Sequence, residues 1–161
     1  MIELNKKTQQ DFLNREWVQR LLDAGIDMSD AKYYIIHTVE DEYDCGSDRD
    51  FIVYKEQVAL YKSENFVPTY STAELFYKLN EWPSIKLSED KFIGAKLEIF
   101  KDAPFYFACY YFSKTEKNDE YRKYDIEYGS EYPIEAMAQL LITSAKSNFY
   151  NFKYVRDISS K

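Results

Sequence analysis

The chain contains few of the residues on which most enzyme sites depend. Its 161 residues include one histidine, two cysteines, four glycines and four prolines. A single histidine excludes every site that needs a pair of imidazoles, and it makes a Ser/His/Asp triad implausible unless that histidine supplies the base. Scattered glycines leave no glycine-rich loop of the kind that holds phosphates in P-loop and Rossmann proteins. We therefore expect no cofactor, and a protein that is not an enzyme.

Long hydrophobic runs and a disulfide framework are missing too. No stretch approaches the roughly 18 apolar residues that a membrane helix needs, and residues 1–10 contain no apolar core of a signal peptide. Cys45 lies in an acidic segment and Cys109 in an aromatic one, so a structural disulfide has little support. We expect a cytoplasmic protein without a membrane partner.

A basic surface is the last notable absence. The chain has 28 acidic and 21 basic residues, for a net charge of −7, and a negative surface repels nucleic acid. Residues 27–50 hold eight acids and two bases, which is −6 of that total. Because local potential steers association, this segment is the predicted contact for a protein partner, in particular a basic one.

The acids at the end of that segment form the predicted partner-binding site. They are Glu40, Asp41, Glu42, Asp44, Asp48 and Asp50. Carboxylates also bind Ca²⁺ and Mg²⁺, but this spacing lacks the alternating acids, central glycine and late glutamate of an EF-hand loop. We assign no metal ligands. A solvated acidic loop and a docking patch for a basic partner are the two interpretations that the spacing favours.

Helical periodicity and end signals predict the first and third of three helices. The first lies near 9–24, with Thr8 at the spacing of a helix cap and Gly25 as a left-handed stop. The third lies near 133–147 and begins at Pro133, because proline is favoured at the first helical position.

The second predicted helix lies near 72–82 and has the clearest local signal in the chain. Ser71 and Glu74 have the spacing of a capping box, in which each side chain accepts from the other residue's backbone N–H. Pro83 ends this helix, because the residue before proline avoids helical geometry.

Period-two and β-branched patterns predict the strands. Two apolar runs around the acidic segment predict a hairpin near 33–54. An antiparallel meander near 92–128 is predicted from three runs, 92–99, 105–112 and 121–128. Its middle run is apolar on both faces, as in a central strand covered on two sides or in a strand at a subunit interface. The predicted fold is a single α+β domain over residues 1–161.

Three spaced segments carry a shared pattern of helix starts and ends. They are Leu21-Leu-Asp-Ala-Gly-Ile26 followed by Ala31, Val67 to Leu75, and Tyr132 to Leu140. Together they resemble an uncharacterised family of small prophage and mobile-element proteins of gut bacteria. The resemblance implies a fold and a genomic setting, and it brings no known activity or site. The acidic residues 40–50 depart from the family's pattern.

Isolated reactive residues have plainer interpretations than catalysis. His37 in a strand is typical of a hydrogen-bonded residue. Cys109 among aromatics is expected to be buried and inert, and the acids around Cys45 disfavour its thiolate. Five tyrosines invite a stacking surface for sugars or bases, but core packing is favoured for them. They are Tyr106, Tyr110, Tyr111, Tyr124 and Tyr128.

The sequence thus favours a non-enzymatic accessory protein that binds another protein through residues 40–50 and one aromatic sheet face. A more specific form is an inhibitor or immunity protein whose acidic loop blocks a basic site of its target. Two rivals remain. One is a homo-oligomer that buries residues 105–112, and the other is a small metal-dependent hydrolase with ligands among Asp41, Asp44, Asp48 and Asp50.

Overall fold

The computed structural model describes residues 2–38, 49–61, 65–79, 83–114 and 119–147. In chain order these ranges contain β1 (Ile2–Glu3), α1 (Arg15–Asp23), β2 (Tyr33–Thr38), β3 (Arg49–Tyr54), β4 (Phe66–Thr69), α2 (Thr72–Leu79), β5 (Ser84–Ser88), β6 (Lys91–Gly94), β7 (Lys96–Asp102), β8 (Phe105–Tyr111), β9 (Ile126–Ser130) and α3 (Pro133–Lys146). Short 3-10 helices cover Lys55–Leu60 and Asp119–Tyr124. The predicted α+β class is confirmed.

The first sheet contains the predicted hairpin. Its strand order is β1-β3-β2-β4, and β2 and β3 pair antiparallel from Tyr33 opposite Tyr54 to Thr38 opposite Arg49. The hairpin near 33–54 is therefore confirmed. Strand β4 was not predicted because Pro68 interrupts the run; it lies at the sheet edge, where proline is tolerated because its missing N–H breaks no ladder bond.

The predicted meander is right at its centre and wrong at both ends. Strands β7, β8 and β9 form a three-stranded antiparallel sheet with β8 in the middle. However, the run 92–99 divides at Ala95, because β6 pairs with β5 in a separate two-stranded sheet. The third strand begins only at Ile126, since the residues before it form the second 3-10 helix. Alternation continues across Ala95, so its period did not reveal the division.

Helix α1 starts later than predicted. Its cap is Asn14, whose side chain accepts from the Trp17 N–H at 3.1 Å. Thr8 closes an earlier turn instead, where its Oγ1 accepts from the Asn5 N–H at 2.8 Å. The predicted start near residue 9 is therefore wrong, because Thr8 has the spacing of a cap but stabilises a local turn. Gly25, with φ of 80°, follows the helix as predicted.

The other two helices begin where their local signals indicate. The Ser71 N–H donates to Glu74 Oε2 at 2.9 Å, and the Glu74 N–H donates to Ser71 Oγ at 3.3 Å, so the capping box is confirmed. Pro133 is the first residue of α3. At 14 residues α3 is the longest helix described, and no helix in the described ranges is both long and apolar enough to cross a membrane.

One apolar core joins the helices to both larger sheets. Helix α3 packs on β8 and β9 and also contacts α1 and α2. Fully buried members of this core include Leu21, Ile35, Leu75, Ala108, Tyr110 and Leu141. The two larger sheets are therefore anchored to a common helical layer.

Candidate functional site

Most of the predicted partner-binding acids fall between the two strands of the hairpin. Glu40, Asp41, Glu42, Asp44 and Asp48 lie outside the described residues. Thr38 at the end of β2 and Arg49 at the start of β3 are direct partners in the ladder. The residues between them contain five acids and no base. The ladder thus places Thr38 and Arg49, the residues that flank the acidic segment (residues 39–48 of the sequence), opposite each other at one end of the first sheet.

The sixth predicted acid, Asp50, is engaged inside the protein. Arg15 Nε donates to both of its carboxylate oxygens, at 2.9 Å and 3.0 Å. His37 is its partner across the ladder, with Nδ1 at 3.1 Å from Asp50 Oδ1. In the tautomer that carries a hydrogen on Nδ1, His37 donates to this carboxylate oxygen. Asp50 therefore lies on β3 just after the acidic segment, and its charge is already paired with Arg15.

Arg15 also connects this arrangement to the segment before β4. Its two terminal nitrogens donate to the side-chain and backbone oxygens of Asn65, each at 3.1 Å. The His37 N–H donates to the same backbone oxygen at 3.3 Å. We call the set of Arg15, His37, Asp50 and Asn65 the Asp50 clamp. It ties the start of α1 to β2, β3 and the segment before β4.

The clamp has the composition of an acid–base pair but the geometry of a structural tie. Arginine at the first turn of a helix is disfavoured by the helix dipole, and the pairing with Asp50 offsets this. In a catalytic triad, the carboxylate orients the histidine while the histidine activates a nucleophile. Here both carboxylate oxygens also bind Arg15. Within the described residues, no group of His, Cys, Asp and Glu is placed to hold a metal ion.

The five tyrosines considered as a stacking surface do not share one sheet face, since four lie on β8 and β9 of the third sheet and Tyr124 ends the second 3-10 helix. Tyr110 is fully buried on the α3 side, and Tyr124 and Tyr128 pack against the same core. Tyr111 follows Tyr110 on the strand and so points to the opposite face. Core packing is confirmed for Tyr110, Tyr124 and Tyr128, and a single shared face is ruled out.

The face of this sheet turned away from α3, called here the outer face, carries exposed aromatic rings. Phe100 on β7 stacks on Phe107 of β8, with ring centroids 5.3 Å apart. Phe100 remains 38% exposed. The Phe107 ring also covers Gly129 of β9, where a Cβ atom would lie 2.7 Å from its Cε1. Glycine at this position is what allows the ring to lie flat on β9.

A polar network lies beside those rings on the outer face. Glu98 accepts from Lys114 at 2.7 Å and lies 3.3 Å from Lys96, and the hydrogen bond from Lys114 is the main cause that lowers the pKa of Glu98. The Tyr111 hydroxyl donates to Glu127 at 2.7 Å. Its pKa is raised, first by burial and then by Cys109 and Glu127. The charge of Glu98 is thus neutralised by Lys96 and Lys114, whereas Glu127 accepts from the uncharged Tyr111 hydroxyl.

Cys109 lies under this network and is chemically quiet. Its side chain is fully buried between Glu98 and Glu127 of the neighbouring strands. Burial raises the pKa of its thiol to about 11, so the thiolate is scarce at neutral pH. The predicted inert role is therefore supported by the structure. Cys45 lies outside the described residues.

A buried lysine was missed by sequence reasoning. Lys78 on α2 has 5% of its side chain exposed and pairs with Asp30 at 2.5 Å. The Tyr70 hydroxyl donates to the other oxygen of Asp30 at 2.9 Å, and burial raises the pKa of Tyr70. Lys78 follows the buried Leu75 by three residues, which is the apolar spacing of α2. That spacing was the available signal that Lys78 points inward.

The hollow beside α1 is too small to be a small-molecule site. It is lined by residues that include Phe12, Trp17 and Ile134, and its enclosed volume is about 0 Å³, too small to hold even a water molecule. Ligand pockets usually measure about 300–1,000 Å³.

Comparison of the chain with protein families, with curated proteins and with solved structures found no match in any of the three.

Proposed function

We propose that this protein is a non-enzymatic accessory protein that acts in the cytoplasm by binding another protein through its acidic segment. One observation supports this most directly. The ladder of β2 and β3 pairs Thr38 with Arg49, the residues that flank a sequence segment with five acids and no base, and the Asp50 clamp stabilises that end of the sheet. The partner that fits this charge is a protein with a basic surface.

The Asp50 clamp distinguishes the acid that stabilises the fold from the five acids that we propose bind the partner. Asp50 is paired with Arg15, so its charge stabilises the end of the hairpin rather than attracting a partner. The five acids of residues 39–48 have no basic neighbour within that segment. Their field therefore steers a basic surface toward it and disfavours acidic partners, nucleic acid and anionic lipid.

The setting of the proposal is a phage or mobile element. It is supported by the resemblance of the three helix-start and helix-end segments to small prophage proteins. A specific form of the function is an inhibitor or immunity protein, whose acidic segment occupies a basic groove that otherwise holds nucleic acid or another anionic substrate. This form adds one expectation, that anionic substrate and this protein compete for the same target.

The test is capture of the partner from the native host with the full chain as bait. We expect the variant Glu40→Gln, Asp41→Asn, Glu42→Gln to lose the captured protein. The matched control Glu89→Gln, Asp90→Asn, Glu131→Gln removes the same charge from exposed positions in the second half of the chain. We expect it to keep the partner. Capture that is equal for the two variants and insensitive to salt would contradict the proposal.

A calorimetric titration separates this function from a metal-dependent hydrolase. Mg²⁺, Mn²⁺ and Ca²⁺ are each titrated into the full chain at millimolar concentration. We expect no saturable heat, because Asp50 is occupied by Arg15 and the remaining acids lack the spacing of an EF-hand loop. Saturable binding that Asp41→Asn or Asp44→Asn abolishes would favour the hydrolase.

A further inference from the structure

Strand β7 is a long, regular edge of the third sheet. It pairs with β8 along its whole length, from Lys96 opposite Tyr111 to Asp102 opposite Phe105, with no register shift. Among the strands that the structure describes, only β8 pairs with it. Edge strands are usually protected by shortness, proline, a bulge or charged side chains. Strand β7 has seven residues with neither proline nor a bulge, in contrast to β4 with Pro68 and to the irregular pairing of β5 and β6, so its edge is protected only by its charged residues, Lys96, Glu98, Lys101 and Asp102.

Apolar side chains along this edge are incompletely covered. Leu97 and Ile99 point toward α3 and pack against the core, yet both remain partly exposed. Their ladder partners on β8, Tyr110 and Ala108, are fully buried. Phe100 is exposed on the outer face of the same strand. A strand added beside β7 would cover these side chains and pair the backbone groups of the open edge.

We propose that the strand added beside β7 is β7 of a second copy of this chain, paired antiparallel about Ile99. In that register Lys96 lies opposite Asp102 of the second copy, and by symmetry Asp102 lies opposite Lys96. Ile99 meets Ile99, and Glu98 meets Phe100. The third sheets of the two copies then form one continuous sheet with an α3 helix from each copy on the same face.

Charge selects this register over its neighbours. A shift by one residue would place inward side chains against outward ones, so the nearest alternatives differ by two residues. One of these puts Glu98 opposite Glu98, and the other puts Glu98 opposite Asp102. Like charges directly opposite destabilise a sheet, while opposite charges stabilise it. The sequence of β7 therefore favours pairing with itself at a single alignment.

Charge also permits two copies to approach at this edge. Residues 84–161 contain 12 bases and 12 acids, so the half of the chain that carries β7 is neutral. Glu98 is already neutralised by Lys96 and Lys114. Because edge pairing buries less than the roughly 800 Å² per partner of a standard interface, the dimer should dissociate on dilution. This proposal is independent of the acidic segment.

A charge-swap experiment tests the proposal in solution. Sedimentation equilibrium of the full chain is measured from micromolar to millimolar concentration. We expect a reversible dimer, and Lys96→Asp should raise its dissociation constant about tenfold or more because the substitution creates two repulsive cross-strand pairs. Lys96 and Asp102 are exposed, so the substitutions leave the core intact.

The double variant Lys96→Asp, Asp102→Lys should restore the dissociation constant, because it exchanges the two charges across the interface. Lys86→Asp, the same charge change at an exposed position on β5, is the control and should leave the constant unchanged. A monomer at every concentration would overturn the proposal and leave the edge for a strand of another protein. A dimer that Lys96→Asp does not weaken, or that the double variant does not restore, would overturn it equally.

Discussion

The first and third sheets are both antiparallel and both pack on the helical layer, but they differ in charge. The hairpin of the first sheet lies in the segment with eight acids and two bases, while residues 84–161 balance 12 bases with 12 acids. In the first sheet Asp50 pairs with Arg15, and five of the other acids lie in the sequence between its strands β2 and β3. The third sheet neutralises Glu98 locally, and within the described residues its edge strand β7 has no second partner strand and its outer face carries exposed aromatic rings.

This difference indicates two kinds of contact on one small chain. A segment of one sign suits a partner of the opposite sign and forms a salt-sensitive complex. A neutral edge with alternating charges suits a copy of itself, since unlike charges can face each other only in particular registers. Each kind of contact predicts a different response when its support in the fold is removed.

The largest expected effect is a loss of stability when the core beneath the third sheet is disrupted. Tyr110 is fully buried and its hydroxyl donates to the Leu79 backbone oxygen. Tyr110→Ala should lower the free energy of unfolding by about 3–5 kcal/mol, because it leaves a large cavity beneath β8. Tyr110→Phe keeps the ring and should cost about 1 kcal/mol. Urea unfolding measures both, and equal losses from the two variants would contradict tight packing at this position.

The next effect concerns the first sheet. Asp50→Asn keeps the shape of the side chain but leaves Arg15 without its charge partner. We expect a loss of about 1 kcal/mol in unfolding free energy, since the pair is only partly screened by solvent. Asp90→Asn, in an exposed turn, is the control and should be neutral. Equal stability of the two variants in urea unfolding would show that the Asp50 clamp does not stabilise the end of the hairpin next to the acidic segment.

A comparable effect is expected where Phe107 covers Gly129. Gly129→Ala brings a methyl group to 2.7 Å from the ring and should cost about 1 kcal/mol by displacing it. In a Phe107→Leu background the same substitution should cost less, because the aromatic edge is gone. A double-mutant cycle measures the coupling. Additive losses would show that the ring yields without strain.

The smallest effect is a pH dependence at Glu98. Its pKa lies below the ordinary 4.5 in the folded protein, mainly because Lys114 donates to it. A lowered pKa stabilises the folded state above the unfolded-state pKa, and this stabilisation disappears as pH falls through the folded-state value. Glu98→Gln should therefore cost about 0.5 kcal/mol at neutral pH and nothing in strong acid. Glu89→Gln, on an exposed turn, should show no such difference, and a Glu98→Gln loss that grows as pH falls would have the wrong sign.

Helix starts that depend on neighbouring residues could be predicted from the sequence. Contacts between residues distant in the sequence could not. The capping box of Ser71 and Glu74 and the start of α3 at Pro133 depend on neighbours within one turn, so a single sequence shows them. Thr8 had the same kind of spacing but caps a turn. The division at Ala95 depends on which strand each half pairs with, and alternation carries no such information.

The same limit applies to the candidate site. Charge counting located the acidic segment, because charge is additive along the chain. It did not separate Asp50 from the other acids, since its partner Arg15 lies 35 residues away in sequence. The self-pairing register of β7 was readable from Lys96 to Asp102, but only the sheet order shows that this strand is an edge.

If the acidic segment binds a basic protein partner, as we propose, the binding should depend on salt. The affinity of the captured partner is measured at low and high salt for the full chain and for Glu40→Gln, Asp41→Asn, Glu42→Gln. We predict that binding to the unmodified chain weakens steeply with salt and that the variant binds weakly at both concentrations. A partner that binds both proteins with the same affinity and the same salt dependence would contradict the account.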